Sequence, residues 1–201
     1  KIRGIRGAFN SALNAIKLIK RKNIPVSVSM TVHDKNIGEI YNLAKLCKSL
    51  RVSLTIKRYI FTGRGKSNKL ELSKKNYSNL CNIVDNLIGK KYKINFKDPI
   101  YSSRKTNNKI LNGCLAGINI ASIKNNGDVL GCTKLNYVFG NIRKKPLGKI
   151  WNKNSLLKKL RDRKLIGTCN SCYKKFSCGG CRAAAFEYNK NLFASDPLCT
   201  N

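Results

Sequence analysis

Acidic residues are scarce in this chain: nine Asp and Glu stand against 41 Lys and Arg, a formal net charge of +32. Such a balance would ordinarily point to a polyanion such as RNA. Here the lysines are spread along the whole length beside abundant Asn and Ile, the mark of an AT-rich genome, so nucleic acid is not expected as the partner. Long apolar runs are also missing. The longest, such as Ile118 to Ile123, fall far short of the eighteen or more residues of a membrane span, and no signal-peptide pattern opens the chain. A cytoplasmic protein with no membrane association is therefore expected. Prolines number only four, and with 42% hydrophobic residues in 201 the chain can bury one core, or one core with a small appendage. It begins at Lys1 rather than Met, with a helical pattern within ten residues, as expected of a fragment entered inside a domain.

Up to about residue 111, helix and strand signals alternate. Phe9, Leu13, Ile16 and Ile19 recur at spacings of three and four over Ala8 to Lys22, predicting a half-buried helix. VSVSMTV, ending at Val32, has the period of a strand. Asn36 and Glu39 have the spacing of a capping box before a helix whose stripe is Ile40, Leu43, Ala44, Cys47 and Leu50. Val52 to Ile56 predicts a second strand, Ser73 to Ile88 a third helix, and Tyr92 to Phe96 a third strand. Alternation of this kind implies parallel pairing with right-handed crossovers and ligands gathered at the strands' carboxyl ends. About three strands cannot close a barrel. From residue 112 the pattern changes: Asn126-Gly127 between two apolar runs predicts a hairpin with both turn residues at positive φ. A short amphipathic segment then leads to a cysteine cluster.

Nine cysteines in a chain with no secretory signal favour metal over disulfides, and seven of them lie from Cys114 onward. In CNSCYKKFSCGGC, five residues separate the two C-x-x-C pairs, whereas zinc ribbons separate theirs by roughly fifteen to twenty. Runs this short in iron–sulfur proteins send their last thiol to a neighbouring cluster. The same logic gives Cys169, Cys172 and Cys178 to one cluster, with Cys199 available as its fourth ligand. Cys181 would turn away across Gly179 and Gly180 to join Cys114 and Cys132 at another.

These residues carry a resemblance. Cys114, Gly127 and Cys132, then C-x2-C-x5-C-x2-C from Cys169 to Cys181, then Cys199 resemble the SPASM domain, the auxiliary-cluster domain of many radical S-adenosylmethionine (SAM) enzymes. The stretches FGNIRKKPLGKIW, CGGCRAAA and DPLC agree with it. RGAF and YIFTGRGKSN resemble the second half of the radical enzyme's partial barrel, in the branch that tailors haem-type tetrapyrroles and neighbours the pyrroloquinoline quinone and mycofactocin peptide maturases. The resemblance implies an α/β fold: residues 1–111 as the second half of a partial (β/α)6 radical SAM barrel, and residues 112–201 as a small α+β SPASM domain. It implies two auxiliary iron–sulfur clusters of the 4Fe–4S type and, in the full-length parent, SAM with a catalytic 4Fe–4S cluster. Ser29 and Thr31, near the end of the first strand, occupy positions where the family places SAM contacts. The expected partners are a peptide or tetrapyrrole substrate and an acidic electron donor such as ferredoxin or flavodoxin.

Departures from the pattern sharpen the expectation. The C-x3-C-x2-C loop of the catalytic cluster occurs nowhere in the 201 residues, so this stretch by itself should not perform the radical chemistry. The Cys114, Cys132 and Cys181 set has three thiols, leaving a position open or held by another group. Thr133 stands where sulfatase-maturing relatives carry an Asp base. Cys47 and Cys81 fit helix cores, and His33, the lone histidine, sits just past a strand. Arg64, in the GRG turn, could meet a carboxylate or phosphate. Two further classes fit the same cysteines: a stand-alone iron–sulfur electron-transfer or scaffold protein, and a zinc-stabilised basic module for nucleic acid.

Overall fold

The computed structural model describes residues 5–63, 70–105 and 113–200. Strands β1 (Ser27–Val32), β2 (Ser53–Arg58) and β3 (Ile94–Phe96) form a parallel sheet in the order β1-β2-β3. The period-two pattern sets its two faces. Met30, Val32, Leu54, Ile56 and Phe96 point into a core closed by α2 (Ile40–Ser49) and α3 (Lys74–Gly89) through Ile40, Ala44, Cys47, Tyr77, Leu80, Cys81, Val84 and Leu87. Each crossover advances one strand in the same direction, so right-handed connections bring both helices onto the same face. Full burial of each large aliphatic side chain there contributes about 1.5–3 kcal/mol. The opposite face is polar and open: Ser29 and Thr31 on β1 are exposed, and the register sets them beside Thr55 and Lys57 on β2.

Helix α1 (Ala8–Arg21) forms where its periodicity predicts. Its apolar stripe is less covered than expected: Leu13, Ile16 and Ile19 are half-buried, while Phe9 is 63% exposed, because only the middle of the helix reaches the core. The capping box does not form. Asn36 turns its side chain back to the end of β1, accepting from the His33 amide at 2.9 Å and donating to the Thr31 carbonyl at 3.0 Å. Glu39 receives Asn42 instead, and a 3₁₀ turn over Ile37–Glu39 leads into α2. The unpaired backbone at the strand end competes successfully for the Asn amide. Ser73 caps α3 by accepting from the Asn76 amide. An unforeseen helix, α4 (Pro99–Lys105), follows β3. Arg64 and most of the GRG turn, and the expected boundary near residue 112, lie outside the described residues.

The second part is built on the antiparallel strands β4 (Ser122–Ile123), β5 (Asp128–Leu130) and β6 (Val138–Asn141). Its hairpin differs from the expected two-residue turn. Lys124 accepts from Gly127 and donates to Asp128, and of the turn residues only Gly127 has positive φ, at 89°. This is a type I turn followed by one left-handed residue, the usual three-residue solution. The amphipathic segment becomes two helices, α5 (Leu147–Lys153) and α6 (Ser155–Arg161), broken at Asn154, whose side chain caps the second by accepting from Leu156 and Leu157. Short helices α7 (Thr168–Ser171) and α8 (Arg182–Asn189) bracket the cysteine loop. Val129, Leu135, Phe139, Ile150, Leu157, Leu160, Ala183 and Ala184 form a second core. The two parts interlock: Ile60 belongs to the second core and Leu198 to the first. No helix among the described residues is long and apolar enough to cross a membrane.

Candidate metal centres

Cys169 on α7, Cys172 just after it, Cys178 and Cys199 all line one cavity of about 90 Å³. The chain between Cys172 and Cys178 folds back through turns, and Gly179 and Gly180, at φ 63° and 54°, redirect it toward α8. Only glycine adopts two such residues in a row without strain. The Cys178 sulfur accepts from the Gly180 amide at 3.4 Å, and the Ser103 hydroxyl lies within hydrogen-bonding reach.

Cys114, Cys132 and Cys181 line a second, much larger cavity of about 730 Å³, together with Thr133, Lys134, Lys97 and Lys105. Amides of Arg182 and Ala116 point at the Cys114 sulfur, and those of Lys134 and Leu135 at Cys132. Burial pushes the Cys114 thiol up to about 11, with the neighbouring Cys181 adding to the effect and the amides opposing it. Backbone dipoles aimed at sulfur stabilise thiolate, the form that binds iron. Among the described residues no three His, Cys, Asp or Glu side chains converge as a single metal ion requires. A multi-iron cluster sets its thiolates farther apart, since each binds a different iron. Cysteine sulfurs with amides turned toward them are the kind of donor an iron–sulfur group uses.

The two cavities share a wall. The Cys114 amide donates to the Cys178 carbonyl at 2.9 Å, joining a cysteine of one set to a cysteine of the other. Arg58, at the carboxyl end of β2, reaches the same wall. Its Nε meets Asp98 at 2.8 Å, and its two terminal nitrogens bind Asp196 at 3.1 and 2.5 Å. Asp196 also accepts from the amides of Cys181 at 2.6 Å and Leu198 at 3.1 Å. Burial by itself would raise the Asp196 carboxyl, but the charge and hydrogen bonds of Arg58, with those two amides, outweigh it and hold the group below the usual range. Asp98 lines the larger cavity and Asp196 the smaller. Sequence reasoning passed over this triad and also over the buried arginines 163 and 182. One local signal existed, since both acids precede proline.

Ser29 and Thr31 lie on the open face of the sheet, away from both thiol cavities. Cys47 and Cys81 are core residues, as expected. His33 is buried; its Nδ1 accepts from the Lys35 amide, and burial lowers its pKa.

Residues 114–173 match the family model of SPASM, an iron–sulfur cluster-binding domain. The chain is 29% identical to an AdoMet-dependent heme synthase of Methanosarcina barkeri, over 98% of this chain and 62% of that protein. It is 24% identical to a PqqA peptide cyclase of Gluconobacter oxydans, over 100% of this chain and 58% of that one. Its fold resembles a solved structure of native anSMEcpe with bound AdoMet and Cp18Cys peptide, with a TM-score of 0.66 at 18% identity, covering 95% of this chain and 57% of the other. The chain thus spans about three fifths of the length of these curated relatives. Over residues 114–173 it is thus similar to the SPASM iron–sulfur domain, and over nearly its whole length to these relatives.

Proposed function

We propose that this chain is the C-terminal portion of a radical SAM/SPASM enzyme that modifies a tetrapyrrole or a peptide, and that its second part binds two auxiliary iron–sulfur clusters. One observation carries the reading: seven cysteines fall into two separate cavities, four thiols lining one and three the other. Cys169, Cys172, Cys178 and Cys199 close the smaller site. Cys114, Cys132 and Cys181 leave a position at the larger site for water, a small ligand or a substrate heteroatom. Bound there, the clusters would supply one-electron transfer and, at the open position, a Lewis-acid contact. The chain's own groups turn backbone amides toward the Cys114, Cys132 and Cys178 sulfurs, opposing the burial that favours the thiol, and separate the sites with the Arg58, Asp98 and Asp196 triad. Ser29 and Thr31, on the polar face of the sheet, are proposed to contact SAM. Thr133 lines the larger cavity and has no carboxylate to act as a base. Similarity to a heme synthase and to a peptide cyclase supports the two substrate classes, and the basic surface supports an acidic ferredoxin or flavodoxin as donor.

Anaerobic reconstitution tests the proposal. About two clusters' worth of iron and sulfide per chain is expected, and Cys172→Ala should remove one cluster while sparing most of the other. Stoichiometric zinc without sulfide would overturn it. An upstream reading frame encoding C-x3-C-x2-C is expected, and its absence would leave a cluster-binding scaffold.

A further inference from the structure

The two largest fully buried side chains among the described residues are cations, Arg163 at 1% and Arg182 at 0% exposure. Arg58, the other buried arginine, meets two carboxylates; neither Arg163 nor Arg182 meets one among the described ion pairs. Their satisfied donors go to backbone carbonyls alone, and Arg163 Nε and one terminal nitrogen of Arg182 have no partner. A buried guanidinium without a counter-charge is costly, and removing it from such a place would ordinarily stabilise a protein. Arg163 is in no described ion pair, so an anion bound beside it would supply the missing counter-charge.

The position of Arg163 identifies where that anion would be. One terminal nitrogen donates to the carbonyl of Cys114, a thiol of the larger cavity, at 2.8 Å. The other packs so tightly on Gly179, which lines the smaller cavity, that a Cβ there would come within 2.1 Å. The guanidinium is within electrostatic reach of the sulfurs of Cys114, Cys178 and Cys169, from both sets, and burial pulls its pKa down against their influence. The backbone repeats the message. Five described residues other than glycine hold positive φ, and Arg163, at 51°, is the one that is buried. Left-handed backbone at a residue with a side chain is strained.

We infer that Arg163 is the shared counter-cation of the two cluster sites, and that its charge tunes the reduction potential of both. The inference rests on the cluster reading above. Thiolate-ligated clusters are anionic, and reduction adds a further negative charge. A cation fixed in the dry wall between them stabilises the reduced states preferentially, and the clusters in turn supply the charge it lacks. Arg182, at the start of α8 beside Cys181, adds a second positive charge on the same side.

The test is potentiometric titration of the reconstituted chain, with each cluster followed by electron paramagnetic resonance and iron and sulfide measured in every sample. Arg163→Met should lower the reduced-to-oxidised ratio of both clusters at fixed potential by tenfold or more, about 59 mV for a one-electron couple. Arg163→Lys should restore most of it, and exposed Arg143→Met should change neither. If Arg163→Met loads both clusters and their potentials stay put, the inference is overturned; a fall at one cluster alone overturns the sharing. If Arg163→Met does not load, Arg163→Lys decides: loading with near-original potentials supports a role for charge, and failure to load overturns it in favour of shape. An unsubstituted chain that binds no iron and sulfide would instead undo the cluster reading, before any variant is made.

Discussion

Replacing Asp196 by Asn removes one charge from a triad sealed off from water, with Asp196 and Arg58 side chains 0% and 3% exposed. Breaking a buried ion pair by changing one partner costs about 3–5 kcal/mol. Arg58 keeps Asp98 at 2.8 Å, so the loss should lie at the lower end, about 3 kcal/mol. Arg58→Met should be worse, because it leaves two buried carboxylates facing each other without their cation. The double variant Arg58→Met with Asp196→Asn should be more stable than Arg58→Met alone. It removes a cation and an anion together, and Asp98 retains the Tyr77 hydroxyl and the amides of Ile100 and Tyr101. Urea unfolding of the reconstituted chain, read by Trp151 fluorescence and circular dichroism, measures all three. The depressed Asp196 carboxyl contributes stability that is present above the unfolded value of about 3.9 and lost as pH falls through its lower folded value. The gap between the native chain and Asp196→Asn should therefore be full near neutrality and close in acid. An Asn variant within about 1 kcal/mol of the native chain, or strictly additive single effects, would refute the reasoning.

Gly179→Ala should destabilise the chain by about 2–4 kcal/mol, since it adds a methyl against the buried Arg163 guanidinium at positive φ; thermal unfolding checks this. The Cys114, Cys132 and Cys181 cluster should be lost before the other during anaerobic chelator titration, because its site is larger, has three thiols and draws on distant parts of the chain. Resonance signals assigned with Cys132→Ala and Cys172→Ala give the order, and prior loss of the Cys172 cluster would contradict it. Reduction by an acidic ferredoxin or flavodoxin should slow steeply between low and physiological salt; stopped-flow rates indifferent to ionic strength would leave codon composition as the explanation of the lysines.

The sequence was most readable where information is local. Period-two and period-three-to-four patterns located β1, β2, α2 and α3, because each buries one face against its neighbours. The short spacer in the cysteine run set Cys181 apart from Cys169, Cys172 and Cys178, and Cys181 lines a different cavity from those three. Less readable was whatever depends on the partner of a group. Arg58 and Asp196 are 138 residues apart, and in a lysine-rich chain a lone arginine looks like one more surface charge. The Asp-Pro dipeptides at 98–99 and 196–197 held a usable clue. Asp98 accepts from the first amides of α4 with Pro99 at its opening position, an N-terminal signature that would have revealed that helix. Asn36 and Asn126 show the limits of motif reading: each has the right neighbours for a familiar cap or turn, and each side chain finds a nearer backbone or carboxylate partner.

The bond from the Cys114 amide to the Cys178 carbonyl has a consequence for how variants can be interpreted. Through one peptide contact, a replacement at either position disturbs a strut common to both centres, and the resulting spectrum mixes two responses. Damage attributed to one centre could then be crosstalk from the other. Cys132 and Cys172 take no part in the strut, and they are the positions from which each centre can be silenced without speaking for its neighbour.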